Sequence, residues 1–305
     1  KLISELDEIP NENWERDVYV TMTSTVGPNV VDIIEHLIDT YTDNTYDSTT
    51  FNAVKNSFKS GGQELFPANF AIFDRQNVLQ VLSDIAFQAR CALFQNEGVF
   101  YIKDLSTEPS SDLTLTESDI EVGSMSINVN ATDNLVTVFK ALWRPDYLPN
   151  TEREVIVRHN MQKYGKHEQN FNFFIYNIEE LVIKSATFWS IRLSNSWKRV
   201  TVSVFIDNIR LQNYDTVLFD LAQTHLADAD VKGVIENITF NTEQSTLILE
   251  CWIPVRSGEM SSYQYAWPAD LGATIEYPDA LDISSGNAGG TGIGSTLATK
   301  VTGVS

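Results

Sequence analysis

Cysteine is scarce in this chain: two in 305 residues, Cys91 and Cys251. Two isolated thiols make neither a disulfide framework nor a metal site, and both sit among apolar residues, as small buried hydrophobes do. Folding in a reducing cytoplasm is the expectation. Histidine is also sparse, at His36, His159, His167 and His225, and none belongs to an HExxH or a Cys/His pair. No apolar run approaches the roughly 18 to 20 residues that a bilayer span takes. No basic-then-apolar start reads as a signal peptide. Positive charge is short as well. Lys and Arg number 21 against 41 Asp and Glu, a net charge of -20. That balance argues against gripping a nucleic-acid backbone, which takes clustered cations. It is compatible with solubility and with a surface past which DNA slides.

Motifs that carry chemistry are missing too. GxSxG does not occur. Gly289 to Thr296 (GGTGIGST) superficially resembles a phosphate-binding loop. Ser295 stands where the lysine belongs, and no strand-loop-helix context surrounds it, so a flexible tail is the better reading. Asp39, Asp43 and Asp47, and Asp228 with Asp230, raise calcium. Neither group completes a twelve-residue loop with its closing Glu, so solvated acidic surface is the default. The sequons at Asn130 and Asn237 carry little weight without a secretion signal. Forty-one carboxylates leave a glycosidase pair open, since sequence alone does not fix their separation. Trp143, Trp189, Trp197 and Trp252 fall in periodic segments and read as core. Tyr263, Tyr265 and Trp267 lie in a segment without core periodicity and suit an interface or local packing. The catalytic, cofactor-binding and metal residue sets are therefore empty.

What is present is packing, for hydrophobic residues make up 43% of the chain, enough for real cores. Residues 16–25 alternate as a strand and Gly27-Pro28 breaks it. Residues 30–41 carry a helical stripe at Val30, Ile33, Ile34, Leu37 and Ile38. Residues 48–59 read as a second helix with Phe51, Val54 and Phe58 inward, stopped by Gly61-Gly62. Residues 67–73 read as extended. Residues 74–103 give a helix, a turn and a strand. Asp74 is the expected cap, and Val78, Leu79, Leu82, Ile85, Ala86, Ala89 and Leu93 form the apolar side. Cys91 lies inside this helix, Asn96-Glu97-Gly98 is the turn, and Val99 to Ile102 the strand.

Residues 104–125 are polar and Ser/Thr-rich, a loop or edge. Strands are expected at 126–130, 135–143 and 154–158, and His159 and His167 fall in a loop-like stretch. Residues 177–194 form the last strong helix, with Ile178, Leu181, Val182, Ser185, Phe188 and Trp189 on its stripe. The period then switches to two. Strands follow at 200–206, 216–221 and 231–240, with a turn at 241–245 and a return strand presenting Leu247, Leu249, Cys251, Ile253 and Val255 on one face. From Ser257 the chain loses core-building character.

The expected fold class is α+β and multidomain: antiparallel β barrel or tube-like domains plus a small α/β domain with three helices. The divisions are 1–27, a strand completing a tube-like β domain; 28–125, an α/β domain; 126–198, strands plus the 177–194 helix; 199–257, an antiparallel barrel; and 258–305, an extended Gly/Ser-rich tail.

The order of these elements matters. The series runs through NVLQVLSDIAFQARCALFQNEGVFYI, LVTVFKALW, EELVIKSATFWSIRL and YDTVLFDL. It resembles the tail-tip or baseplate hub proteins of long-tailed bacteriophages, the host-specificity family, with relatives in gene transfer agents and contractile injection machines. Leu82, Ile85, Ala86, Arg90, Leu93, Phe94, Gly98 and Ile102 match that family's helix-turn-strand pattern. Ser185 to Arg192 and Leu211 to Leu218, with Asp215, resemble two later patterns. The resemblance covers residues 15–257 at the level of fold, and no fibronectin-like or fibre extension is seen. It implies a non-enzymatic virion protein made in the host cytoplasm. It further implies a homotrimer that continues or closes the tail tube. Expected partners are the tail tube or distal tail protein and other tail-tip or fibre proteins, with DNA only as passing cargo. The alternatives are a phage carbohydrate-active enzyme and a glycan-binding adhesin.

Overall fold

The computed structural model describes residues 24–105, 111–129, 134–147, 151–194, 197–221, 231–254 and 299–302. Residues 16–23 of the expected 16–25 strand and the Gly-rich tail segment lie outside the described residues, and residues 24 and 25 are not in a strand. The architecture is α+β, and its described apolar residues gather into two cores that share no member.

The first core begins with α1 (Val30–Tyr41). Asn29 caps it by accepting from the Val31 amide, and Val30, Val31, Ile34 and Ile38 are buried. Asn29 is itself buried, and its amide group donates to Glu64 Oε2 at 2.7 Å, so the cap costs no unpaired polar group. β1 (Thr45–Tyr46) leads into α2 (Ser48–Ser57), capped by Asp47, which accepts from Thr50 N. The short hairpin of β2 (Lys59–Ser60) and β3 (Gln63–Glu64) turns on Gly61 and Gly62, both in the left-handed region that a two-residue turn of this hand demands.

α3 (Val78–Gln88) differs from expectation at both ends. Asn77, not Asp74, is the cap, accepting from Leu79 N. The helix stops at Gln88 because Arg90 takes a left-handed φ of 61° and turns the chain at once into β4 (Cys91–Asn96). Cys91 and Leu93 are therefore strand residues. Leu79 is 51% exposed, off the buried face made by Val81, Leu82, Ile85 and Ala86. β5 (Val99–Asp104) returns after the Glu97-Gly98 turn as expected, antiparallel to β4 and parallel to β1.

The same core continues past a long excursion. β8 (Val138–Trp143) pairs antiparallel with β9 (Arg153–Arg158) and parallel with β10 (Glu168–Phe173), in the order β10-β8-β9-β15, where β15 is Thr299–Thr302. The strand β10 was not expected from its polar sequence. The short α4 (Met161–Tyr164) precedes it, and α5 (Glu179–Leu193) packs on the sheet with Val182, Ile183 and Ala186 buried.

The second core is one curled six-stranded sheet, a half-barrel. Its order is β6 (Leu113–Thr116), β12 (Thr216–Asp220), β13 (Val231–Asn241), β14 (Thr246–Pro254), β11 (Trp197–Phe205), β7 (Ser126–Val129). Alternation buries Val200, Val202 and Val204 on β11 and Leu247, Leu249, Cys251 and Ile253 on β14. Asn241 shapes the β13–β14 turn by accepting from Glu243 N and Gln244 N. β6 and β7 are neighbours in sequence yet lie at opposite edges. Ile120, in the connection between them, makes an antiparallel bridge to Val204 of β11.

Candidate functional site

The residues singled out from sequence do not converge. His36 is exposed on α1, beside Thr40. His167 bonds the Tyr164 carbonyl through Nε2 at 3.0 Å. His159 was placed in a loop, but it is 2% exposed, with Nδ1 at 2.6 Å from Ser194 Oγ. Burial, which disfavours the charged ring, pushes it down to about 4. His225, Asp228, Asp230, Asn130, Tyr263, Tyr265, Trp267 and the 289–296 segment lie outside the described residues. Among the described residues, no three His, Cys, Asp or Glu side chains are grouped to hold a metal. Asp47 serves as a helix cap, and Asn237 lies exposed on β13. Both cysteines are buried, and burial raises the Cys251 thiol to about 12. Trp143 and Trp189 are buried, as core residues should be.

Some of the surface carboxylates among the described residues are tied into ion pairs. Lys55 links Asp32 and Glu35, and Lys140 links Glu154 and Glu168. Hydrogen bonds from Lys140 and Lys166 hold the Glu168 carboxyl down to about 2. These pairs are partly exposed, where each contributes little to stability.

What the fold offers instead is surface for assembly. Among the described residues, β6 and β7 have a strand partner on one side only. Their outer backbone groups are a ready template for another chain. Along the β11 end of the same sheet, Val122 is 98% exposed, and Phe205, Ile206, Ile209 and Phe240 are also exposed. A second exposed group is rigid. Tyr147 donates to Ala71 O at 3.1 Å, accepts from Ala71 N at 2.6 Å, and sets its ring edge-on to Phe73, 4.9 Å between centroids.

The two cores meet at a junction that sequence patterning did not reveal. Lys103 Nζ, at the end of β5, donates to Tyr214 O at 3.1 Å and Asp215 Oδ1 at 2.6 Å. Lys103 follows the apolar strand pattern at its polar end, so nothing in the alternation distinguishes it from a solvated residue.

A chain from the virion of a native gene transfer agent particle has a similar fold. It superposes with a TM-score of 0.51 at 10% identity, over 87% of this chain and 57% of that one. A tail protein from Neisseria meningitidis MC58 gives 0.49 at 14% identity, over 82% of this chain and 71% of the other. The 43 kDa tail protein of prophage MuSo2 from Shewanella oneidensis gives 0.43 at 11% identity, over 75% and 64%. No family model and no curated protein matches the sequence. The chain thus spans little more than half the length of the gene transfer agent chain. Among the described residues, no helix is long and apolar enough to cross a membrane.

Proposed function

We propose that this chain is a structural tail protein acting as a tail-tip or baseplate hub. It would assemble as a homotrimer, continue or close the tail tube, and connect it to fibres or a central tip during attachment and genome ejection. It carries no catalytic role in this reading. The observation that carries the proposal is the half-barrel with its two short outer strands, β6 and β7. An open sheet edge is a liability unless another chain or a cover satisfies it, and cyclic oligomers satisfy edges head to tail. The net charge of -20 supports a conduit role, because an acidic wall repels passing DNA and keeps it from sticking. The likeness to the gene transfer agent chain supplies the fold on which this rests.

Light scattering on the purified chain tests the proposal. The expected mass is near three times 34.3 kDa. A monomer at every concentration would overturn the trimeric hub.

A further inference from the structure

Arg90 is a buried cation in the first core. It is 4% exposed, at the left-handed turn between α3 and β4. Its guanidinium carbon lies 3.8 Å from the Phe66 ring centroid and 6.0 Å from that of Phe188. A ring face attracts a cation, yet it offers no oxygen to the N–H groups and repays only part of the cost of burying the charge. The Arg90 Nε has no hydrogen-bond partner. Among the described residues no carboxylate forms an ion pair with Arg90. Asp104, opposite Cys91 in the β4–β5 register, accepts from Ser57 Oγ instead.

Tyr176 shares that condition. It is 1% exposed, and its phenolic oxygen has no hydrogen-bond partner. Backbone bonds bring the two residues into one neighbourhood. Gln88, just before Arg90, accepts through Oε1 from Ile175 N at 3.0 Å. Asn69 N, just after Phe66, donates to Ile175 O at 2.8 Å. The Arg90 charge acts on the Tyr176 phenol, pulling it down against the larger rise that burial imposes. Two buried donors without an acceptor, one of them positively charged, suit a ligand that accepts hydrogen bonds and carries one negative charge. A dianion would leave a net charge in the core, and the burial of both donors demands a ligand small enough to shed its water.

We propose that Arg90 and Tyr176 form a buried site for a compact monovalent anion of the halide class, held by the Arg90 Nε–H and the Tyr176 hydroxyl, with the Phe66 ring against the guanidinium. Bound there, the anion neutralises the core cation and ties the α3–β4 turn to the segment entering α5. The inference concerns a single chain and does not depend on the tail reading.

Thermal melts of the full chain test it, in mixtures of sodium chloride and sodium isethionate at fixed total salt, the isethionate anion being too bulky for a buried site. The melting temperature of the parent should rise with the logarithm of chloride concentration, since an ion that binds only the folded chain stabilises it by mass action. Sodium bromide should act alike. Tyr176→Phe keeps the ring and removes one donor to a charged ligand, so its rise should start at chloride concentrations about tenfold to a hundredfold higher. Arg90→Met removes the charge and should abolish the rise; where that variant does not fold, Tyr176→Phe decides alone. A parent that melts alike in both salts would overturn the site. So would an equal rise in the parent and Tyr176→Phe, which would place the ion on surface cations.

Discussion

Trp189 lies flat on Phe87, ring centroids 4.3 Å apart and 15° from parallel, while its indole Nε1 donates to the Phe87 carbonyl at 2.8 Å. One side chain of α5 thus both stacks on α3 and satisfies a carbonyl of its last turn. Trp189→Phe keeps an aromatic surface and loses the donor, and should cost about 1 kcal/mol. Trp189→Ala also leaves a cavity, and should cost about 3 to 5 kcal/mol. Urea titration of both variants checks the order. Equal losses would mean that the stacked surface contributes nothing beyond the bond.

Gln88 closes the same seam. Its side-chain oxygen accepts from Phe174 N at 2.7 Å and Ile175 N at 3.0 Å, and its backbone carbonyl accepts from Ser185 Oγ. Gln88→Met fills similar volume but strands two amides in a buried setting. The expected loss is roughly 2 to 6 kcal/mol, from 1 to 3 for each unpaired group. Hydrogen exchange at the Phe174 and Ile175 amides should rise in the variant, and unchanged protection there would refute the assignment.

The periodic parts of this fold were legible in the sequence. The 30–41 stripe gives α1, the 177–194 stripe gives α5, and the alternation of Leu247, Leu249, Cys251 and Ile253 gives the inner face of β14. Each repeats an apolar spacing that only one element satisfies. The end of α3 was not legible. The apolar pattern runs on through Ala89 and Leu93, and only the left-handed backbone at Arg90 shows that the period changes there. That conformation is held by packing: the Arg90 guanidinium lies 3.8 Å from the Phe66 ring centroid, a contact remote in sequence. β10 was missed because EQNFNF is an edge strand with five of its six side chains at least partly exposed, and its parallel pairing to β8 is a tertiary choice. The junction at Lys103 was invisible for the same reason, since its hydrogen-bond partners Tyr214 and Asp215 are more than a hundred residues away.

His159 gives the acid side of stability a definite sign. The buried ring titrates at about 4, against 6.5 when unfolded. The unfolded chain therefore binds more protons between these values. The contribution is fully present above pH 6.5 and is lost as pH falls toward about 4. At about 1.36 kcal/mol per pH unit the full loss is roughly 3 kcal/mol. Unfolding free energies of the parent and of His159→Gln, taken between about pH 7 and pH 4.5, should converge as pH falls. Parallel curves would show that His159 is not the group responsible.

Gly233 on β13 marks a close approach inside the half-barrel. A Cβ there would lie 2.7 Å from Phe219 Cε2 and 3.2 Å from Cys251 Cβ. Phe219 is fully buried, so its ring has little room to yield. Gly233→Ala should destabilise by about 1 to 3 kcal/mol through overpacking, and the companion Phe219→Leu should recover part of that loss. Thermal melts of the single and double variants decide it; an additive double variant would place the strain elsewhere.

The central claim is a place at the far end of a tail. Gold-labelled antibody against this chain, imaged on purified particles by electron microscopy, tests it directly. The account predicts gold at the distal tip of the tail. Gold on the head or along the tail shaft, or particles that carry none of this chain, would contradict it.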